Sequence, residues 1–203
     1  MKIKLIGDLH GKLDQYKKIV LDAERYGEKT ISLGDNGFES EWLDGEKFLS
    51  GLDGGLENHK WLAGNHDFYP NYPRFSQSLG DFGVWNDVFF IRGAKSIDRH
   101  HRIEGRDWFR EEEMSYLEMT KCIELYEQTK PDFVISHTCP AFIKNDIFGY
   151  SDNDNTSILL KQLFEFHQPK IWVFGHMHNS IIYSHLNTTF VCLAELQTMN
   201  LVI

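Results

Sequence analysis

Five short polar motifs, four of them containing glycine, occur along the chain, most of them directly after an apolar stretch. Gly7-Asp8-Leu9-His10-Gly11 follows Ile3-Lys4-Leu5-Ile6, and Gly34-Asp35-Asn36 follows Ile31-Ser32-Leu33. Gly64-Asn65-His66-Asp67 follows Trp61-Leu62-Ala63, Ser136-His137 ends Phe133-Val134-Ile135, and Gly175-His176-Met177-His178 follows Ile171-Trp172-Val173-Phe174. A short apolar run bounded by turn residues reads as a buried strand. A strand that ends in Asp, His or Asn delivers that side chain to one edge of a sheet. Five such edges can surround one site, which is the layout a two-metal hydrolase needs.

The rest of the chain fits strands and helices around those edges. Residues 2–6, 29–33 and 59–63 read as strands. Leu13, Tyr16, Ile19, Val20, Ala23 and Tyr26 have helical spacing over 13–26. This β-α-β opening implies a mixed sheet with helices packed outside. Residues 41–50 and 68–78 are weaker helical or irregular segments, the second broken by Pro70 and Pro73. Val88-Phe89-Phe90-Ile91 is made of strong strand formers. The longest helix is expected over 111–129, with Glu111-Glu112-Glu113 as its acidic first turn and Pro131 beyond its end. A further helix fits 156–167. Strands are expected at 171–174, 180–185, 189–194 and 197–202, with a turn at Leu186-Asn187-Thr188. No repeat, low-complexity tract or linker interrupts this order, so 1–203 reads as one α/β domain, a two-sheet mixed sandwich flanked by helices.

Composition excludes several function classes. At 203 residues the chain can bury a real core. A formal charge of −9 argues against a broad nucleic-acid-binding face, and two bound divalent cations would still leave it negative. A local positive trough at a metal site could nonetheless hold a phosphate. No apolar run approaches the roughly 20 residues needed to cross a bilayer, and the first residues enter a strand at once, so no signal peptide is expected. Cys122, Cys139 and Cys192 are odd in number and without a CxxC pair. They read as reduced thiols of a cytoplasmic protein. Oligomeric state has no signature here.

Singly, each motif has a structural reading. Asp8-Leu9-His10-Gly11 could cap the following helix, Gly64-Asn65-His66-Asp67 could be a turn, and His176-Met177-His178 could be a strand edge. Together and in this order they resemble the calcineurin-like metallophosphoesterase superfamily, over residues 5–178. The resemblance implies that Asp8, His10 and His178 hold one metal, that Asn65, His137 and His176 hold a second, and that Asp35 bridges the two. Carboxylates and imidazoles without thiolate suit Mn first, with Fe, Ni, Zn or Mg as alternatives. Two cations about 3.5–4 Å apart can hold a bridging hydroxide and polarise phosphoryl oxygens. A turn at Gly175 is expected to bend the chain so that His176 and His178 both face metals. His66 takes the place of the family's general acid, which protonates the leaving oxygen.

One departure from the family stands out. Many members continue the second motif as Gly-Asp-x-x-Asp-Arg-Gly, whereas here Phe38 and Glu39 stand where the Asp and Arg would be. Protein Ser/Thr phosphatases and symmetrical dinucleoside tetraphosphatases are therefore poor matches. Asp67, or a group elsewhere, would have to orient His66. Between the third and fourth motifs, 92–113 is rich in Arg and His with an aromatic pair, a pattern similar to small phage and bacterial members. It reads either as a substrate loop, with Arg102 and Arg106 on phosphate and Trp108 stacked on a base, or as a packed connection.

The leading expectation is a metal-dependent phosphoesterase acting on a small phosphodiester such as a nucleotide. A phosphomonoesterase or a nucleotide pyrophosphatase is the alternative within enzymes. A scaffold of the same fold without turnover is the rival from another class, disfavoured because every ligand position and His66 are filled.

Overall fold

The computed structural model describes residues 1–37, 42–52, 55–70, 75–151 and 154–203. Phe38, Glu39 and Pro73 lie outside the described residues. The chain opens with β1 (Lys2–Ile6), α1 (Leu13–Arg25), β2 (Lys29–Ser32), α2 (Trp42–Ser50), α3 (Gly55–Asn58) and β3 (His59–Trp61). It continues with β4 (Phe82–Trp85), β5 (Val88–Ile91), α4 (Tyr116–Thr129), β6 (Phe133–Ser136) and α5 (Ala141–Phe148). It closes with α6 (Asn155–Phe166), β7 (Ile171–Phe174), β8 (Ile181–His185), β9 (Thr188–Cys192) and β10 (Thr198–Val202).

The strands form two sheets, ordered β10-β1-β2-β3 and β4-β5-β6-β7-β9-β8. Within the first, β1, β2 and β3 are parallel. Within the second, β5, β6, β7 and β9 are parallel. Parallel strands end on the same edge, so every motif leaves its sheet at the carboxyl end, where open α/β sheets bind ligands.

Strand alternation sorts the core into layers. Ile3, Leu5 and Ile31 of the first sheet meet Val88, Phe90, Ile135, Val173 and Val191 of the second. On the outer face of the second sheet, Phe89, Ile91, Val134, Trp172, Phe174 and Phe190 pack with Met119, Cys122 and Tyr126 of α4 and with Leu159, Leu160, Leu163 and Phe164 of α6. Leu13, Tyr16 and Val20 of α1 cover Ile6 and Trp61 on the other side. The expected two-sheet sandwich with helices on both faces is present. The Trp61 indole donates to the Tyr16 hydroxyl at 2.8 Å in that layer. Trp61→Phe removes the donor and part of the packing, so chemical denaturation should show a loss of about 1–3 kcal/mol. An unchanged midpoint would mean that this bond contributes nothing net.

Several elements depart from the sequence expectation. The helix expected over 111–129 divides: Arg110–Glu112 is a separate 3₁₀ turn, and α4 starts only after Ser115. Ser115 Oγ accepts from the Glu118 amide while the Glu118 carboxylate accepts from the Ser115 amide, a capping box that overrides the earlier acidic run. Glu112 is buried rather than a solvated first-turn charge. β4 went unanticipated. It pairs with β5 across Asn86-Asp87, both at positive φ, as a two-residue hairpin turn requires. α3 and α5 are too short for a clear period. α5 ends at Gly149, φ 73°.

Candidate metal centre

The strand ends converge on one point. Asp8, His10, Asp35 and His178 each offer a ligand atom, and these atoms lie within 4.8 Å of one another. Asp35, His137 and His176 form a second group by the same measure. Asp35 is common to both. Asn65 joins the second group: its Oδ1 lies 3.1 Å from His137 Nε2, itself 3.3 Å from Asp35 Oδ1. In the first group the Nε2 atoms of His10 and His178 are 2.9 Å apart, and His178 Nε2 is 3.1 Å from Asp8 Oδ2. All seven residues anticipated as ligands are therefore brought together.

The backbone is bent to achieve this. His10, Asp35, His176 and His178 all have positive φ, between 45° and 63°. Non-glycine residues rarely hold this conformation, and such strain gathers at functional sites. The bends also direct His176 to one group and His178 to the other. A Cβ on Gly64 would stand 2.2 Å from Asp35 Oδ1, and one on Gly175 2.3 Å from Asp8 Oδ1. Only glycine lets these carboxylates approach the backbone so closely.

The donor set fits divalent cations on its own terms. Asp35 is 1% exposed, its Oδ1 accepts from the His66 amide at 2.8 Å, and its Oδ2 has no hydrogen-bond partner among the described residues. A buried orphan acceptor is costly unless something positive meets it. His137 gives the same answer. Its Nδ1 must donate to the Leu33 carbonyl at 2.8 Å, so the lone pair of the neutral ring sits on Nε2, facing two acceptor oxygens. A cation, or a second proton, resolves that conflict. Burial opposes charge on both members of the pair. The imidazoles of His137, His66 and His176 still hold Asp35 below the usual carboxylate range, and Asp35 and Asp8 raise His137. Burial, then His137, lowers His176 to about 4, which keeps that ring neutral and free to ligate.

A cleft of about 460 Å³ opens over the centre, lined by Asp35, Asn65, His66, His176 and His178 and by Ile97, Asp98, Arg102, Lys144, Tyr150 and Met177. Arg102 Nη2 lies 3.2 Å from His66 Nδ1 and 2.9 Å from Asp98 Oδ2. A guanidinium can only donate, so Nδ1 accepts and the proton of the neutral ring is on Nε2. Burial lowers the His66 pKa, and Arg102 adds to the effect.

Asp67 has different partners. Its carboxylate accepts from the amides of Asn36, Gly37 and Gly64 and from Asn36 Nδ2, pinning the second motif to the third. Burial raises it to about 7. None of these bonds reaches the His66 ring, whose Nδ1 instead meets Arg102, itself paired with Asp98. Arg106 is exposed and paired with its neighbour Asp107. Trp108 packs under Arg99 at 5.8 Å, in a separate hollow. Of the three substrate contacts expected from 99–108, only Arg102 reaches the metal cleft. Lys144, Tyr150, Ile97 and Asp98 were not anticipated. Lys144 lies in a helix with no clear period, and only the i, i+4 spacing of Asp98 and Arg102 hinted at their pairing.

The sequence matches the family model for calcineurin-like phosphoesterase over residues 1–180. No curated protein matches it. Among solved structures, the phosphopantetheinyl hydrolase PptH of Mycobacterium tuberculosis has 13% identity and a TM-score of 0.51, covering 96% of this chain and 89% of its own. GAP50, the anchor in the inner membrane complex of Plasmodium, has 10% identity and a TM-score of 0.52, covering 96% and 71%. A 5'-nucleotidase candidate from Staphylococcus aureus, solved with α-ketoglutarate, has 14% identity and a TM-score of 0.51, covering 98% and 50%. At these identities the likeness is one of fold. No helix among the described residues is long and apolar enough to cross a membrane.

Proposed function

Since the chain belongs to the calcineurin-like phosphoesterase family and is a metal-dependent phosphoester hydrolase, we propose that it uses two divalent cations, manganese first, to hydrolyse a small phosphodiester such as a nucleotide. Asp8, His10 and His178 would hold one ion, Asn65, His137 and His176 the other, with Asp35 shared. The observation that carries this reading is the buried Oδ2 of Asp35, without a hydrogen-bond partner among the described residues, in the carboxylate common to both ligand groups. When bound, two such ions supply the charge that activates a water and offsets phosphoryl charge.

The chain's own residues do the rest. Arg102 binds a non-bridging phosphoryl oxygen, for which a guanidinium is well matched. Drawing Arg102 to the substrate frees His66 Nδ1. The ring can then carry the proton that it passes from Nε2 to the leaving oxygen. Asp67 keeps the His66 loop in register through its backbone amides. Ile97 and Tyr150 give the cleft an apolar rim against which the organic part of an ester can rest. The size of the cleft favours a small ester, and the S. aureus likeness makes nucleotides the first substrates to try. One domain suffices for this chemistry. Three free, buried cysteines suit a reducing cytoplasm.

The test is metal analysis together with hydrolysis of a chromogenic phosphodiester, a phosphomonoester and a nucleotide panel with Mn²⁺. Two ions per chain and the fastest turnover on diesters are expected. One ion per chain, or a preference for monoesters, would overturn the corresponding half of the reading. In the same assay Arg102→Ala should lower kcat/KM on every ester, whereas Arg106→Ala and Trp108→Ala should leave it unchanged. A selective loss on nucleotides in Trp108→Ala would return that residue to the substrate site.

A further inference from the structure

The segment 92–112 is tied to the back of the third motif. The Gly93 amide donates to the Ala63 carbonyl at 2.9 Å. Gly93 has φ 86°, and a Cβ there would stand 2.3 Å from the Glu112 carbonyl oxygen. The Arg92 guanidinium donates to the Glu111 carbonyl and lies 4.9 Å from the Tyr69 ring. Two buried polar residues are thereby set behind Asn65. Ser96 Oγ accepts from Asn65 Nδ2 at 3.0 Å. Glu112, 1% exposed, faces Ser96; its Oε1 accepts from the Phe109 amide at 3.1 Å, and its Oε2 is left without a hydrogen bond among the described residues.

An asparagine amide can ligate a cation only through its oxygen, and its two ends differ little in shape. Something must decide which end faces the centre. An ionised carboxylate only accepts, so the Ser96 hydroxyl that faces Glu112 is turned to donate toward its otherwise unmatched Oε2. Ser96 Oγ is then left to accept, and the group it accepts from must be the Asn65 NH₂. Oδ1 is turned to the His137 side, where it is found. We infer that Ser96 and Glu112 are positioning residues for the metal centre: a one-way hydrogen-bond chain, Asn65 to Ser96 to Glu112, that fixes the Asn65 amide with its oxygen toward the second cation. This deepens the proposed function and rests on its assignment of Asn65 as a ligand. Outer-shell partners of this kind commonly govern metal affinity by roughly 10–100-fold.

Glu112→Gln tests the direction of the chain, because a glutamine keeps the shape but can donate to Ser96 and so allow the amide to turn over. Ser96→Ala removes the acceptor, and Asn65→Ala is the control for the ligand itself. Metal-free proteins are titrated calorimetrically with Mn²⁺ at pH 8, above the value of about 7 to which burial pushes Glu112, and each is melted without metal. The expected result is two binding events in the wild type, with one of them weakened about 10–100-fold in both Ser96→Ala and Glu112→Gln and the other unchanged. The metal-free Tm of Glu112→Gln should be unchanged or higher, since a neutral group replaces a buried charge. Wild-type binding in Ser96→Ala and Glu112→Gln overturns the inference, as does equal weakening of both events with a lowered Tm. Weakening in Ser96→Ala alone removes Glu112 from the chain and overturns its directional role. Wild-type binding in Asn65→Ala would instead show that the ligand assignment itself is wrong, and the inference falls with it.

Discussion

Asp35→Asn is expected to disable both halves of the centre at once. Asp35 is the residue common to the two ligand groups, and its carboxylate is buried with one oxygen unpartnered. The asparagine retains an oxygen to accept from the His66 amide, so the loop should hold its shape. The other position becomes an NH₂, a donor aimed where a cation belongs, and the shared negative charge is gone. Affinity at both sites should fall by more than the roughly 10–100-fold typical of outer-shell losses, and hydrolysis should fall with it. Elemental analysis and calorimetric titration read the result. Two ions per chain with unchanged affinity would refute the shared role of Asp35.

His66→Ala should behave in the opposite way, with metal content intact and rate lost. His66 lines the cleft, and neither ligand group includes it. If it delivers a proton to the leaving oxygen, kcat should drop about 10²–10⁴-fold for an alkyl ester. An ester of an acidic phenol, which departs without protonation, should lose much less. Equal losses on both esters would mean that His66 positions phosphate instead. Arg102→Ala adds a further discrimination: its loss should be alike for both esters, because its role is on the phosphoryl oxygens and not on the leaving group. The two residues touch at 3.2 Å, so the double variant should show strong non-additivity.

Much of this was legible in one dimension. Each apolar run of alternating faces leads into a ligand-type residue, in four of the five beside glycine, and a strand carries its last side chain to the sheet edge whatever lies elsewhere. Asp8, Asp35, Asn65, His137 and His176 could be placed together for that reason. The sandwich followed from the same runs, since Val88, Phe90, Ile135 and Val173 alternate with Phe89, Ile91, Val134 and Trp172, giving a sheet two apolar faces to cover. The Ser115 and Glu118 spacing that starts α4, and the Asn86-Asp87 turn after β4, were also readable as local signals, although stronger-looking neighbours masked them.

The tertiary structure alone decided what the irregular segments do. The Arg and His residues of 92–113 have no period, so nothing in their order says which of them faces the cleft. The 3₁₀ turn packs closely against Gly93 with Glu112 buried, and Asp98 and the Asp107 carbonyl hold Arg102 against His66, while Arg106 stays in solvent and Trp108 in another hollow. Asp67 sits one residue from a candidate proton donor, yet its oxygens are taken by the backbone amides of Gly64 and of the distant Asn36 and Gly37. The physical reason is common to both cases. A periodic segment has its faces determined by local geometry. A loop side chain points wherever distant backbone groups and charges meet it, and those distant groups come together only when the sheets have closed.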